Sequence, residues 1–158
     1  MNSSITKLSD QVLAEKLAAL SKKETEITAE ILAHLAELDK RKLFRDAGYS
    51  SLYYYCVNGL GYSSPSAKRR ITAARCISDY PEVYQLFLEK KVTLTTIAIF
   101  APILTPENKI SVLEQVAGRK SEEVEWVRGR YNPQRPSFGN ISITLGSELT
   151  KTTSSLCL

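Results

Sequence analysis

Residues 52–76, "LYYYCVNGLGYSSPSAKRRITAARC", decide how this chain is read. A tyrosine-rich apolar run stops at Gly61. Three serines and Pro65 follow, and then the basic run Lys68, Arg69, Arg70. The spacing predicts a helix over roughly 51–60, capped by Ser50 or Ser51 and ended by Gly61. A second helix is expected from Ser63 or Ser64 to about Asp79. Pro65 falls in its first turn, where a missing N–H does no harm. Ala67, Ile71, Ala74 and Ile77 recur at helical spacing and form its inward stripe. Ser64, Ser66, Lys68, Arg69, Arg70 and Arg75 are left for the outer surfaces. Helix, glycine turn and capped basic helix together are the layout of a helix-turn-helix, whose second helix enters a DNA groove. Tyr53, Tyr54 and Tyr55 are consecutive and cannot share one helix face, so one or two of them are expected in the core. A base-stacking role for them would need single-stranded nucleic acid.

The same stretch fails as a phosphate loop. A P-loop needs GxxxxGK followed by Ser or Thr. Here Gly61 is followed five residues later by Ser66 and then by Ala67, and Pro65 removes one backbone N–H from the cradle. Other chemistries are excluded by inventory. His34 is the only histidine, which rules out a two-histidine zinc site and an HNH nuclease centre. There is no HExxH, paired CxxC or GxGxxG motif. Cys56, Cys76 and Cys157 lack metal-ligand spacing, and Cys56 and Cys76 are expected as buried free thiols.

The net charge of +4 is unevenly distributed. Residues 1–39 carry 4 basic and 7 acidic side chains, and residues 76–158 carry 9 of each. Residues 40–75 carry 8 basic side chains (Lys40, Arg41, Lys42, Arg45, Lys68, Arg69, Arg70 and Arg75) against Asp46 alone. All the excess positive charge therefore lies in one window, beside the predicted helix-turn-helix. That placement points to a polyanionic partner rather than a merely solvated face. Part of the cluster has a simpler cause, because cations at a helix C-terminus complement its dipole.

The flanking sequence is helical in pattern. Residues 8–20 read as a short amphipathic helix, capped by Ser9 or Asp10, with Leu13, Leu17 and Leu20 on one face. A long helix is expected over about 22–46, with Ile27, Ile31, Leu35 and Leu38 as its stripe, ended by Gly48. At ~1.5 Å per residue it would be ~37 Å long, a length that often needs a partner. "PEVYQLFLEKK" opens at Pro81. "TLTTIAIFAPIL" has the Thr and Ile content of a strand but is read as a short helix. "TPENKISVLEQVAG" is capped by Thr105, starts at Pro106 and Glu107, and stops at Gly118. "SEEVEWVRGRY" begins another helix at Ser121. "NPQRPSFGN" reads as a linker, "ISITL" alternates like a strand, and "GSELTKTTSSLCL" fades into a polar tail. The expected organisation is N-terminal helices over 1–46, a helix-turn-helix-containing domain over 47–130, and a linker and tail over 131–158. The fold class is all-α, with a short strand-like tail.

Residues 27–128 resemble the N-terminal region of bacterial HNH endonuclease-type proteins. The carrying residues are "LAHLAELDKRKLF", "GYSSLYYYC", "LGYS", "AKRRITAAR" and "LTPEN", in that order and spacing. Residues 61–130 are similar in layout to the helix-turn-helix region of ParB-type partition proteins. That similarity implies an all-helical DNA-binding module, with 63–75 as recognition element and 93–100 helical. Members of the first family continue into a metal-assisted HNH domain. Its histidines are absent here, so the resemblance implies a chain cut short and no nuclease activity.

The resulting expectation is a non-catalytic double-stranded DNA-binding domain that uses no cofactor, metal or small-molecule substrate. Ser63, Ser64, Ser66, Lys68, Arg69, Arg70 and Arg75 would meet the DNA, and Lys40, Arg41, Lys42 and Arg45 would form a second backbone-contact patch. The alternative is a protein-interaction or homodimerisation module built on the long helix. A truncated HNH nuclease is third. With no signal pattern and no apolar stretch long enough to cross a bilayer, the chain is expected in the cytoplasm, on the nucleoid if it binds DNA.

Overall fold

The computed structural model describes residues 5–131, and all regular structure among them is helical. A short 3-10 turn, Ile5–Lys7, precedes α1, Asp10–Arg41. The chain continues through α2, Leu52–Tyr54, which runs into a π-helical turn, Tyr55–Gly59. Then come α3, Ser64–Asp79; α4, Glu82–Leu88; α5, Leu94–Phe100; α6, Lys109–Val116; and α7, Ser121–Tyr131. The expected linker, the strand-like "ISITL" and Cys157 lie outside the described residues.

The two helices expected over 8–20 and 22–46 are one continuous helix of 32 residues. No Gly or Pro interrupts residues 10–41, and Ala, Leu, Glu and Lys dominate them, so nothing breaks the backbone at Ser21. The helix also ends five residues earlier than expected. Lys42 adopts a left-handed conformation, φ 56°. Its N–H donates to Asp39 O, and the Leu43 N–H donates to Leu38 O, both at 3.1 Å. This is a Schellman closure with lysine where glycine is usual. Phe44 is then buried, and Gly48 turns the chain at φ 81°.

The stripe expected over 22–46 is met in part: Leu35 is buried and Ile31 and Leu38 pack half-buried against the core, whereas Ile27, and the leucines of the stripe expected over 8–20, stay outside it. Ala29, Leu32 and Leu35 enter the core, whereas Leu17, Leu20 and Ile27 remain 66%, 61% and 56% exposed. Residues 10–20 are exposed throughout, so the first half of α1 projects from the fold.

The helix α3 lies between α1 and α5, and α5 packs in turn on α7. Ala67, Ala73 and Ala74 are fully buried, and their small side chains let neighbouring helices approach closely. Phe100, Leu32, Ile97, Val83, Val112, Val116 and Val124 are the largest fully buried residues. The core therefore draws on residues from both sides of position 46.

Capping explains the helices that composition left ambiguous. Thr93 accepts the Thr96 N–H at 3.2 Å, and Thr96 Oγ1 accepts the Thr93 N–H at 2.7 Å. This reciprocal capping box starts α5 and overrides the β-preference of its Thr and Ile residues. Before α6, Thr105 and Asn108 exchange a similar pair of bonds, and Asn108 Nδ2 donates to Ile103 O at 2.8 Å. Residues 106–108 are thereby held as a turn, and α6 begins at Lys109 rather than at Pro106.

Candidate nucleic-acid interface

The helix expected over 51–60 begins and ends where the sequence places it, but most of it is a π turn rather than α-helix. Ser51 caps α2, its hydroxyl accepting the Tyr54 N–H at 3.2 Å. The five-residue π turn then closes with the Leu60 N–H on Tyr55 O at 3.0 Å, and Gly61 redirects the chain at φ 72°. Each of the three tyrosines takes a different direction. Tyr53 donates from its hydroxyl to Ser64 Oγ at 2.8 Å, tying α2 to the start of α3. Tyr54 is exposed. Tyr55 meets the edge of Tyr49, with ring centroids 5.4 Å apart.

At the start of α3, Ser63 occupies the cap position with extended backbone, but its hydroxyl makes no cap bond. Pro65 stands in the first turn. The Ser64 hydroxyl is taken by Tyr53, and the Ser66 hydroxyl accepts from Arg70. Arg70 is turned back along the fold. Its guanidinium stacks on the Tyr62 ring, 4.5 Å from the centroid, and its Nε is buried with no hydrogen-bond partner among the described residues. Lys68 and Arg69 project outward. Arg75 lies two turns beyond Lys68, on the same side of the helix, and its Nε is 2.7 Å from Asp39 Oδ2 on α1.

That ion pair places Arg75 of the second basic cluster beside the end of α1. Lys40, Arg41, Lys42 and Arg45 follow Asp39 directly, and all four are exposed. Arg41 pairs with Glu37 at 2.5 Å, and this pairing holds the Glu37 carboxyl below its usual range. Three of the eight cations singled out by sequence therefore have partners: Arg41, Arg70 and Arg75. Lys40, Lys42, Arg45, Lys68 and Arg69 have no ion-pair partner among the described residues. Sequence reasoning missed Asp39, Tyr62 and Tyr53, which position this surface. Asp39 sits in the acidic half of the charge count, and only the packing of α1 on α3 brings it to Arg75.

Cys56 and Cys76 are buried and free. Burial raises both thiols, Cys76 to about 12, and Arg70 opposes the rise at Cys56. Neither is poised as a nucleophile. His34 is exposed on α1, its Nδ1 2.8 Å from Glu30 O. No group of three or more metal-ligating side chains stands together among the described residues. No helix among them is long and apolar enough to cross a membrane.

No family model matches the chain, and neither does any curated protein or solved structure.

Proposed function

We propose that this chain is a non-catalytic double-stranded DNA-binding domain whose α2–turn–α3 unit works as a helix-turn-helix. The observation that carries this reading is the Asp39–Arg75 pair, which docks the basic helix α3 beside the end of α1, where Lys40, Lys42 and Arg45 are exposed, while Lys68 and Arg69 are exposed in the first turns of α3. Unpaired cations on one surface attract a polyanion, and the open N-terminus of α3 adds backbone N–H groups and the positive end of its dipole. Lys68 and Arg69 would contact phosphate or base edges, and Lys40, Lys42 and Arg45 would grip the backbone. Arg70 would act indirectly, by holding the turn through Tyr62 and Ser66. The ParB-type and HNH-type resemblances of the sequence point the same way.

Fluorescence anisotropy with mixed-sequence duplexes tests the reading. Five phosphate contacts should cost a few hundred-fold in affinity between about 50 and 200 mM salt. Lys68→Ala with Arg69→Ala should weaken binding at least tenfold and flatten that salt dependence. Absence of binding at low salt, or indifference to the double substitution, would sink the proposal.

A further inference from the structure

The helix α1 carries an apolar seam that is exposed at Leu13, Leu17, Leu20 and Ile27 and only half-buried against the core at Ile31 and Leu38. Leu13, Leu17, Leu20, Ile27, Ile31 and Leu38 recur at alternating spacings of three and four, with Glu24 and His34 completing the series. This is the a/d pattern of a coiled coil. The fully buried residues Ala29, Leu32 and Leu35 lie on an adjoining side of the helix, with Ile31 and Leu38 at the border between the two. Along its second half the seam borders an open groove of about 350 Å³, walled on the far side by Tyr55, Leu60 and Tyr62.

Charge identifies the occupant. The positions flanking the seam on its solvent side are Lys16, Lys23, Glu30 and Glu37, basic in the first half and acidic in the second. In an antiparallel pair of identical helices these positions face one another across the seam. Lys16 then meets Glu37 of the second copy, and Lys23 meets its Glu30. That register sets Asp10 opposite Arg41, so the two helices overlap along the whole of Asp10–Arg41, ~48 Å. It also seats Leu13, Leu17 and Leu20 of one copy against Leu38, His34 and Ile31 of the other, at the groove. A parallel pair would instead stack Glu24 on Glu24 and leave the flanking charges opposite Ser21, Thr28 and Leu35. The flank nearest the groove wall carries Ala14 and Ser21 in the projecting half, small enough for close approach.

We propose that a second copy of this chain covers the seam, giving a two-fold antiparallel homodimer in which the projecting half of each α1 fills the groove of its partner. The interface is isologous and closes on itself, so it makes dimers rather than filaments. The proposal does not depend on DNA binding.

Analytical ultracentrifugation of the full chain over a concentration series tests it, with far-UV circular dichroism as a control for folding. The wild type should dimerise. Leu17→Asp with Leu20→Asp changes residues exposed in the monomer and should weaken association at least tenfold without unfolding the chain. K16E/K23E alone and E30K/E37K alone should each weaken it, because every flanking pair then repels. Mixing those two proteins should restore a dimer. A wild type that stays monomeric up to about 1 mM, the weak end of specific association, overturns the proposal, whether the seam is then covered by residues 132–158 or by another protein. A dimer indifferent to the leucine or the charge substitutions, or one that mixing fails to rescue, overturns it as well.

Discussion

Arg75 Nε and Asp39 Oδ2 stand 2.7 Å apart and join α3 to the end of α1. The pair neutralises Arg75 at the edge of the basic surface. Arg75→Ala should therefore weaken duplex binding less than Arg69→Ala, and Asp39→Asn should strengthen binding by releasing the guanidinium. Under Asp39→Asn the slope of log affinity against log salt should steepen by about one contact. Stability should move by only about 0–1 kcal/mol, because the Arg75 side chain is largely solvated. Anisotropy at several salt concentrations and chemical denaturation check the two halves of this prediction.

Leu32 and Leu17 lie on the same helix with opposite fates, the first fully buried and the second 66% exposed. Leu32→Ala should cost roughly 2–5 kcal/mol through lost burial and the cavity left behind. Leu17→Ala should change monomer stability by no more than about 0.5 kcal/mol. Urea unfolding at low protein concentration separates them, and equal losses would contradict the packing of α1.

Cys76 is raised to about 12 from an ordinary 9.0 by burial. The unfolded chain therefore loses this proton first as pH climbs, and by linkage stability falls between about pH 9 and 12. The contribution is fully present below pH 9. Thermal melts at pH 8 and pH 10.5 should show Cys76→Ala less destabilised relative to wild type at the higher pH. A difference between the two proteins that does not change with pH would contradict the burial of this thiol.

Gly61 makes the turn between α2 and α3 at φ 72°, and a Cβ placed there would meet nothing within 4 Å. Gly61→Ala should thus cost only the left-handed backbone strain, roughly 1–2 kcal/mol, with the fold kept. Denaturant midpoints measure it, and a loss well above that range would show a steric role the geometry does not contain.

The parts of this fold that were legible in sequence are those fixed locally. Ser51, Pro65, Gly61 and Gly118 punctuate helices because caps, first-turn prolines and left-handed glycines act within a few residues. The Thr93 capping box acts over the same short range and starts α5 despite strand-like composition, although in the sequence the helix there is implied by the ParB-type layout rather than by the cap. The end of α1 was misplaced because Lys42 takes the conformation that glycine usually marks, and no sequence pattern announces a left-handed lysine. The apolar stripe of α1 is only partly core, Leu35 buried and Ile31 and Leu38 half-buried but Ile27 and the N-terminal leucines exposed, for a different reason. Periodicity counts apolar residues but cannot say which of two adjacent apolar lines meets the core. At the candidate interface, composition located every cation. Their pairing depends on Asp39, Tyr62 and Ser66, brought in by tertiary packing, and charge counting does not see it.

Lys42 places a positive charge at a backbone position where glycine would be more comfortable. Surface charge and backbone ease pull in opposite directions at this residue. Lys42→Gly would remove one cation from the basic surface while relieving about 1 kcal/mol of left-handed strain, offset in part by the greater freedom of the unfolded chain. Most substitutions that strip charge from a binding surface leave open whether function was lost through a weakened fold. At this position the two effects carry opposite signs, so a weaker grip on DNA could not be blamed on instability.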